Sequence, residues 1–500
     1  DEALLAAWLR HPDLRFRTRL DPPLEVVVDP LLARCSAWYE LFPRSASPDP
    51  GRPGTLRDVA ALVPRLARLG FDILYLPPIH PIGRTERKGR DNAAQAGPAD
   101  PGSPWAIGAA EGGHTAIHPQ LGTLADFAAL VRTTRRHGLE IALDLAFQAS
   151  PDHPDVTAHP DWFRHRPDGS VQYAENPPKQ YQDIHPYDFQ SRDWAALWEG
   201  LAAVVEVWIA RGVRVFRVDN PHTKPFAFWA WLIDAVKARH PEVIFLAEAF
   251  TEPKVMYRLA KVGFSQSYTY FTWRTTKAEL EAYFEEITRP PVSDFFRPNL
   301  WPNTPDILHD VLQTGGRPAF ALRALLAATL GANWGVYGPP FEQLEAKPHE
   351  PGSEEYLDAE KYEIRHWQLD RPGTLAGLLG DLNRIRHAQP ALQRDDGLRF
   401  RDIDAARLIA YTKQAPGAPP ILCIVNLDPH SRQEGTVELP LAELGLPAHA
   451  PYEAHDLLDG ATYRWQGPRA RVDLDPLVRP GHVFVLGGPE AAARQRPAGG

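Results

Sequence analysis

Short apolar runs of β character alternate with helical patterns through the first half of the chain. The runs are AWYELFP (37–43), FDILYLPP (71–78), EIALDLAF (140–147), VRVFRVD (213–219) and VIFLAEAF (243–250). Between them lie stretches such as 56–69 and 193–211. In the second stretch, Trp194, Leu197, Leu201, Val204, Val205 and Trp208 recur at helical spacing and define one apolar stripe. Strand, helix and strand in repetition predict a parallel sheet covered by helices. The fold class expected is α/β, and a closed (β/α)8 TIM barrel fits the length better than a small open sheet. After a last helical segment, 375–392, the pattern changes to short strands separated by turns: LIAYTK, ILCIVNL, TVELP, YEAHDLL, ATYRW, RVDL and HVFVL. These predict a C-terminal antiparallel β-sandwich.

The expected organisation is an N-terminal helical or extended segment (1–30), a catalytic barrel (31–392), the sandwich (393–488) and a disordered tail (489–500). Two connections exceed ordinary loop lengths: 83–122, and 149–191 after the third strand. The second is rich in Pro, His, Trp and Tyr, and is expected to form an inserted loop subdomain over the barrel mouth.

Composition narrows the function classes. The 51 prolines disfavour a helical bundle, and the 14 Trp exclude a disordered chain. A net charge of −9 without a basic block argues against nucleic acid or anionic membrane as partner. No apolar run reaches membrane-spanning length. Cys35 and Cys423 stand far apart in apolar segments and read as free buried thiols in a reducing cytoplasm. No HExxH or CxxC pattern occurs, so no metal or other cofactor is expected.

Barrel enzymes place their chemistry at the C-terminal ends of the strands. Asp144, Asp219 and Glu248 occupy such ends, Arg217 shares a face with Asp219, and Asp306 follows in DFFRPNLWPNTPDIL (294–308). Any one of these acids suits a helix cap or an ion pair. Several at corresponding ends, beside aromatic loops, suit glycosyl transfer, in which one carboxylate attacks and another moves a proton.

These residues also carry a resemblance. FRVDNPHTKP (216–225), FLAEAF (245–250), ALDLAFQ (142–148) and NTPD (303–306) resemble the α-amylase family of retaining glycosidases. Gln148-Ala149 replaces the family's usual Asn-His, and the His before the third acid is absent. Those departures, with WYELFPRS (38–45), HPIGRTERKGRDN (80–92), AENPPKQYQDIHPYDF (174–189) and EKYEIRHWQLDRPGTL (360–375), resemble the branch of α-1,4-glucan:maltose-1-phosphate maltosyltransferases. The resemblance implies Asp219 as nucleophile, Glu248 as general acid/base, Asp306 as transition-state stabiliser, and Arg217 and Asp144 in support. It further implies Asn176, Lys179, Tyr181 and Asn220 on the leaving phosphate, and Lys88 and Gln148 on the maltosyl unit. A maltose-1-phosphate donor and an α-1,4-glucan acceptor are the expected partners. Two rivals stay open: a hydrolase or isomerising enzyme of the same family, and a non-catalytic glucan-binding protein.

Two features depart from the branch. Asp91 stands where relatives have Asn, and Ala109-Ala110 where they have Ser-Pro. The relatives' N-terminal β-sandwich, which builds a homodimer, has no counterpart here, so the chain reads as a truncated or short variant.

Overall fold

The computed structural model of the protein describes residues 2–24, 26–176 and 179–487, with Asn176 and Lys179 described by backbone alone. The expected tail 489–500 lies outside the described residues.

Eight parallel strands close into a barrel: β1 (Ser36–Glu40), β2 (Ile73–Leu76), β3 (Glu140–Leu145), β8 (Val215–Val218), β9 (Ile244–Ala247), β10 (Gln266–Tyr268), β11 (Pro298–Leu300) and β12 (Asn333–Tyr337). Four short strands lie between β3 and β8: β4 (Gln148–Ala149) pairs with β7 (His185–Pro186), and β5 (Ala174–Asn176) with β6 (Lys179–Tyr181). Three covering helices start where side chains satisfy their free N–H groups. Thr55 with Asp58, Thr123 with Asp126, and Thr276 with Glu279 each form a reciprocal cap, worth about 1 kcal/mol apiece.

Strand alternation decides what fills the barrel. Trp38, Ile73, Tyr75, Ala142, Val215, Ile244, Leu246, Tyr268 and Trp301 form the buried interior cluster. Trp301 stacks on Tyr268 at 5.0 Å, and its indole needs Gly335, where a Cβ would lie 2.5 Å from the ring. Towards the N-terminal end the interior is polar. Gln266 Nε2 donates to Asn333 Oδ1 (3.0 Å), Asn299 Nδ2 to Gln266 Oε1 (2.9 Å), and Ser36 Oγ to Asn333 Oδ1 (2.9 Å). Strands β10 to β12 contribute these amides, so they lack the apolar signature that marks the other five strands in the sequence.

The chain then forms a six-stranded antiparallel sheet and a two-stranded one. The first comprises β13 (Arg399–Arg401), β14 (Leu408–Lys413), β15 (Ile421–Asn426), β20 (Gly481–Gly487), β17 (Tyr452–Asp456) and β18 (Thr462–Trp465) in that order. The second pairs β16 (Gln433–Glu438) with β19 (Arg469–Leu474). Leu422, Ile424 and Phe484 of the large sheet bury against Val437, Val472 and Leu474 of the small one. The large sheet also covers the buried helix Gly316–Leu330, where Lys413 Nζ donates to Leu330 O at 3.0 Å. Cys423 is buried, whereas Cys35 is only half-buried. The helix Glu2–Arg10 lies ahead of the barrel, and Trp8 and Phe16 are exposed. Among the described residues no helix is long and apolar enough to cross a membrane.

Candidate active site

The inward alternation that fills the barrel continues upward into charged residues. On β3 the step after Ala142 is Asp144; on β8 the steps after Val215 are Arg217 and Asp219; on β9 the step after Leu246 is Glu248. These four meet at the C-terminal mouth, and Arg217 is their hub. Its Nη1 donates to Asp144 Oδ2 at 3.0 Å and to Asp219 Oδ1 at 2.8 Å, and its Nη2 lies 3.3 Å from Glu248 Oε1. Asp144 Oδ2 also accepts from Tyr75 Oη (2.6 Å) and Trp105 Nε1 (3.3 Å), which fixes it beneath the others. Glu248 Oε2 accepts the Asn220 backbone N–H at 3.1 Å.

Burial disfavours ionisation of Glu248 and raises its pKa to about 7, with Arg217 opposing the shift and Asp219 adding to it. The neighbouring acids instead drive the buried Arg217 further towards its charged form. One guanidinium among three carboxylates keeps the site's negative charge tolerable in a partly dry cleft.

Asp306 approaches from the loop after β11. Its Oδ1 lies 2.8 Å from Lys361 Nζ, and that ammonium also faces the rings of Trp105 (5.2 Å) and Tyr181 (5.8 Å). Asp219, Glu248, Asp306, Lys361, Trp105 and Tyr181 border one cleft of about 840 Å³, which Gln148, Asp183, Asn220, Lys224 and Tyr362 also line. A volume of that size holds several sugar rings.

The fold therefore brings together Asp144, Arg217, Asp219, Glu248 and Asp306, and places Gln148, Tyr181 and Asn220 on the same cleft. Lys88 is buried beside the cleft lining, with its ammonium hydrogen-bonded to the Gln182 side chain. The side chains of Asn176 and Lys179 lie outside the described residues. Asp91 turns away from the cleft: Oδ1 accepts the Ala359 N–H at 3.3 Å, and Oδ2 lies 3.6 Å from His349 Nδ1. Asp91, Asp358 and Glu363 do converge, but Arg90 donates to both Asp358 and Glu363 and neutralises part of that group. Ala109 is buried in a tight turn, bonded to Gly112 in both directions.

Sequence reading did not single out Lys361, Tyr362 or Asp183 as site residues. Burial raises the Asp183 carboxyl to about 6, while Lys88 and Lys361 hold it down. A signal for Lys361 existed, since only ten lysines occur in the chain and this one sits inside a matched motif.

Residues 400–486 match the family model described as "GLGE, C-terminal". The α-1,4-glucan:maltose-1-phosphate maltosyltransferase of Chlorobaculum tepidum is 52% identical over 490 residues, covering 97% of this chain and 73% of the relative. The second such enzyme of Streptomyces coelicolor is 51% identical over 498 residues, covering 99% and 74%. The chain belongs to the α-1,4-glucan:maltose-1-phosphate maltosyltransferase family. Solved α-amylases share the fold of this maltosyltransferase family member at lower identity. The Lactobacillus plantarum enzyme has a TM-score of 0.69 at 22% identity, covering 91% of this chain and 99% of that structure. A maltogenic α-amylase from Thermotoga neapolitana has a TM-score of 0.68 at 19% identity, covering 91% and 99%.

Proposed function

We propose that the protein is a retaining glycosyltransferase that moves maltosyl units from α-maltose-1-phosphate to the non-reducing end of an α-1,4-glucan and releases phosphate. The observation that carries this reading is the anchoring of Asp219 and Glu248 on one buried Arg217, with Asp306 on the same cleft.

In this reading Asp219 attacks the anomeric carbon as the bond from that carbon to the phosphate oxygen breaks. Glu248 gives its proton to the departing phosphate, and a β-maltosyl ester remains on Asp219. Glu248 then takes the proton of the acceptor 4-hydroxyl, whose oxygen attacks the same carbon and frees Asp219. Two inversions restore the α-linkage. A Glu248 pKa near 7 suits a group that must both give and take a proton at neutral pH. Arg217 orients Asp219, Asp144 supports Arg217, and Asp306 stabilises the developing positive charge. The chemistry uses side chains alone and calls on no cofactor.

Asn176, Lys179, Tyr181 and Asn220 are assigned to the leaving phosphate, and Gln148 and Lys88 to the maltosyl unit, Lys88 acting through its Gln182 contact. Lys361 adds a cation on the same side as Tyr181. A phosphorylated donor distinguishes this reading from a hydrolase of neutral glucosides, and the high identity to maltosyltransferases over nearly the whole chain favours it. Intact acids count against a purely binding protein. The two thiols, unpaired with each other, suit a cytoplasmic setting.

The test is incubation with α-maltose-1-phosphate and a maltooligosaccharide, following phosphate and the product ladder. Products longer by two glucose units are expected. Free maltose as the sole sugar product would move the protein to the hydrolases.

A further inference from the structure

The turn that carries Asp219 sits in an unusual conformation. Asn220 adopts φ 42° and ψ 54°, the left-handed region that a Cβ disfavours. Two contacts depend on it: the Asn220 N–H on Glu248 Oε2 (3.1 Å), and its side-chain amide 3.5 Å from Asp219 Oδ2. Strain of this kind persists where surrounding groups over-determine it.

One side chain closes around this turn. Lys224 Nζ donates to Thr223 Oγ1 at 3.1 Å, to Asn220 O at 3.3 Å and to Asp219 O at 3.4 Å. Lys224 is only 9% exposed. Among the described residues all its hydrogen-bond acceptors lie on this turn, and no carboxylate pairs with it directly. A buried ammonium without such acceptors would be costly, so its three bonds and the bent turn require each other. Trp229 Nε1 holds the turn from the far side by donating to Pro221 O at 2.9 Å.

We propose that Lys224 is a positioning residue that clamps the Asp219–Asn220 turn and so keeps the Asn220 N–H on Glu248, fixing nucleophile and acid/base in one relation. The roles of those two acids rest on the maltosyltransferase reading. Loss of the clamp has a signature beyond stability. Glu248 faces Arg217 and Asp219 from β8, the Asn220 N–H, and Asp306 from the loop after β11. Lys224 faces Asp219, Glu248, Asp144 and Arg217, with His222 beside it. Removing the N–H or the ammonium takes away stabilisation of the Glu248 carboxylate, so the carboxyl keeps its proton to higher pH.

The experiment measures phosphate release from α-maltose-1-phosphate with a maltooligosaccharide acceptor, for wild type, Lys224→Met and Lys224→Gln. Lys224→Met is expected to lower kcat by roughly 100-fold with donor KM within about threefold. The alkaline limb of kcat/KM for the donor is expected to move up by at least about half a pH unit. The donor phosphate titrates alike for every variant, so the shift reports the enzyme. Lys224→Gln keeps a donor in place without the charge, and is expected to show a smaller loss with the limb displaced in the same direction. It reads the same relation where the Met variant does not fold. A kcat loss with the limb unmoved makes Lys224 merely structural and overturns the proposal. A rise of about tenfold or more in donor KM at unchanged kcat makes it a substrate contact and overturns it too. Wild type that releases no phosphate would instead refute the maltosyltransferase reading.

Discussion

Lys361 Nζ lies 2.8 Å from Asp306 Oδ1, and the two residues come from loops 55 positions apart. The ammonium is largely sheltered, with 15% of its side chain exposed, whereas Asp306 is 42% exposed. A sheltered cation on a carboxylate fixes its orientation. Replacing Lys361 by Met leaves Asp306 without that anchor and removes a positive charge from the cleft. The expected result is a loss of roughly 100-fold in kcat/KM for α-maltose-1-phosphate, with a modest fall in melting temperature. Activity within a factor of about three of wild type would show that the pair does not matter to transfer.

Asp219 and Glu248 share Arg217 but differ in what they must do, and their variants should differ accordingly. Asp219→Ala removes the only proposed nucleophile and should reduce phosphate release by at least about 10⁴-fold. Glu248 acts on the donor in its protonated form. With a pKa of about 7, kcat/KM for the donor is expected to fall as pH rises through that value. Glu248→Gln cannot titrate, so the enzyme's own contribution to that limb should vanish from the residual activity. A limb identical in wild type and Glu248→Gln would assign the titration to the donor phosphate alone.

How much of this site was legible in the sequence follows from strand geometry. Asp144, Asp219 and Glu248 end short apolar runs, so a period of two suffices to point them inward at the barrel mouth. Arg217 is found by the same step of two. The run containing β1 ends the same way at Glu40, yet nothing local marks that residue as buried rather than capping. Lys361 lies in a stretch without periodicity, and only the closure of the loops brings it to Asp306. Strands β10 to β12 escaped for a related reason. Gln266, Asn299 and Asn333 occupy inward positions that ordinarily hold Val or Ile, and they hydrogen-bond to one another. Their partners are 33 and 67 positions away in sequence, a distance no local window spans.

Asp91 stands where the resemblance leads one to expect Asn, and in the fold its carboxylate meets the Ala359 N–H and His349. It borders the segment that carries Lys361 and leaves the cleft lining untouched. Asp91→Asn keeps an acceptor for Ala359 and is expected to leave donor KM within about twofold, the usual scale for a surface change away from the site. A donor KM lowered by about tenfold or more would mean that the charge reaches the bound phosphate, and a titration of initial rates against α-maltose-1-phosphate decides it.

Glu40 offers a prediction about stability. Its carboxyl is 1% exposed at the inward end of β1, and neither oxygen has a hydrogen-bond partner among the described residues. Burial raises its pKa well above the ordinary carboxylate range; Arg217 opposes this, while Asp144, Asp306 and Glu360 reinforce it. The folded state therefore favours the neutral form of Glu40, whereas the unfolded chain ionises it near pH 4.3. Stability from this group is fully present below that unfolded value. It is lost as pH rises towards the folded pKa, by up to about 1.4 kcal/mol per pH unit. Glu40→Gln keeps the shape of the neutral acid and cannot ionise in the unfolded chain, so the penalty disappears. The variant is expected to match wild type in melting temperature near pH 4.5 and to exceed it by several degrees at pH 7.5. An equal melting temperature at both pH values, or a variant less stable at the higher one, would show that Glu40 is ionised in the folded barrel and paired with Arg217.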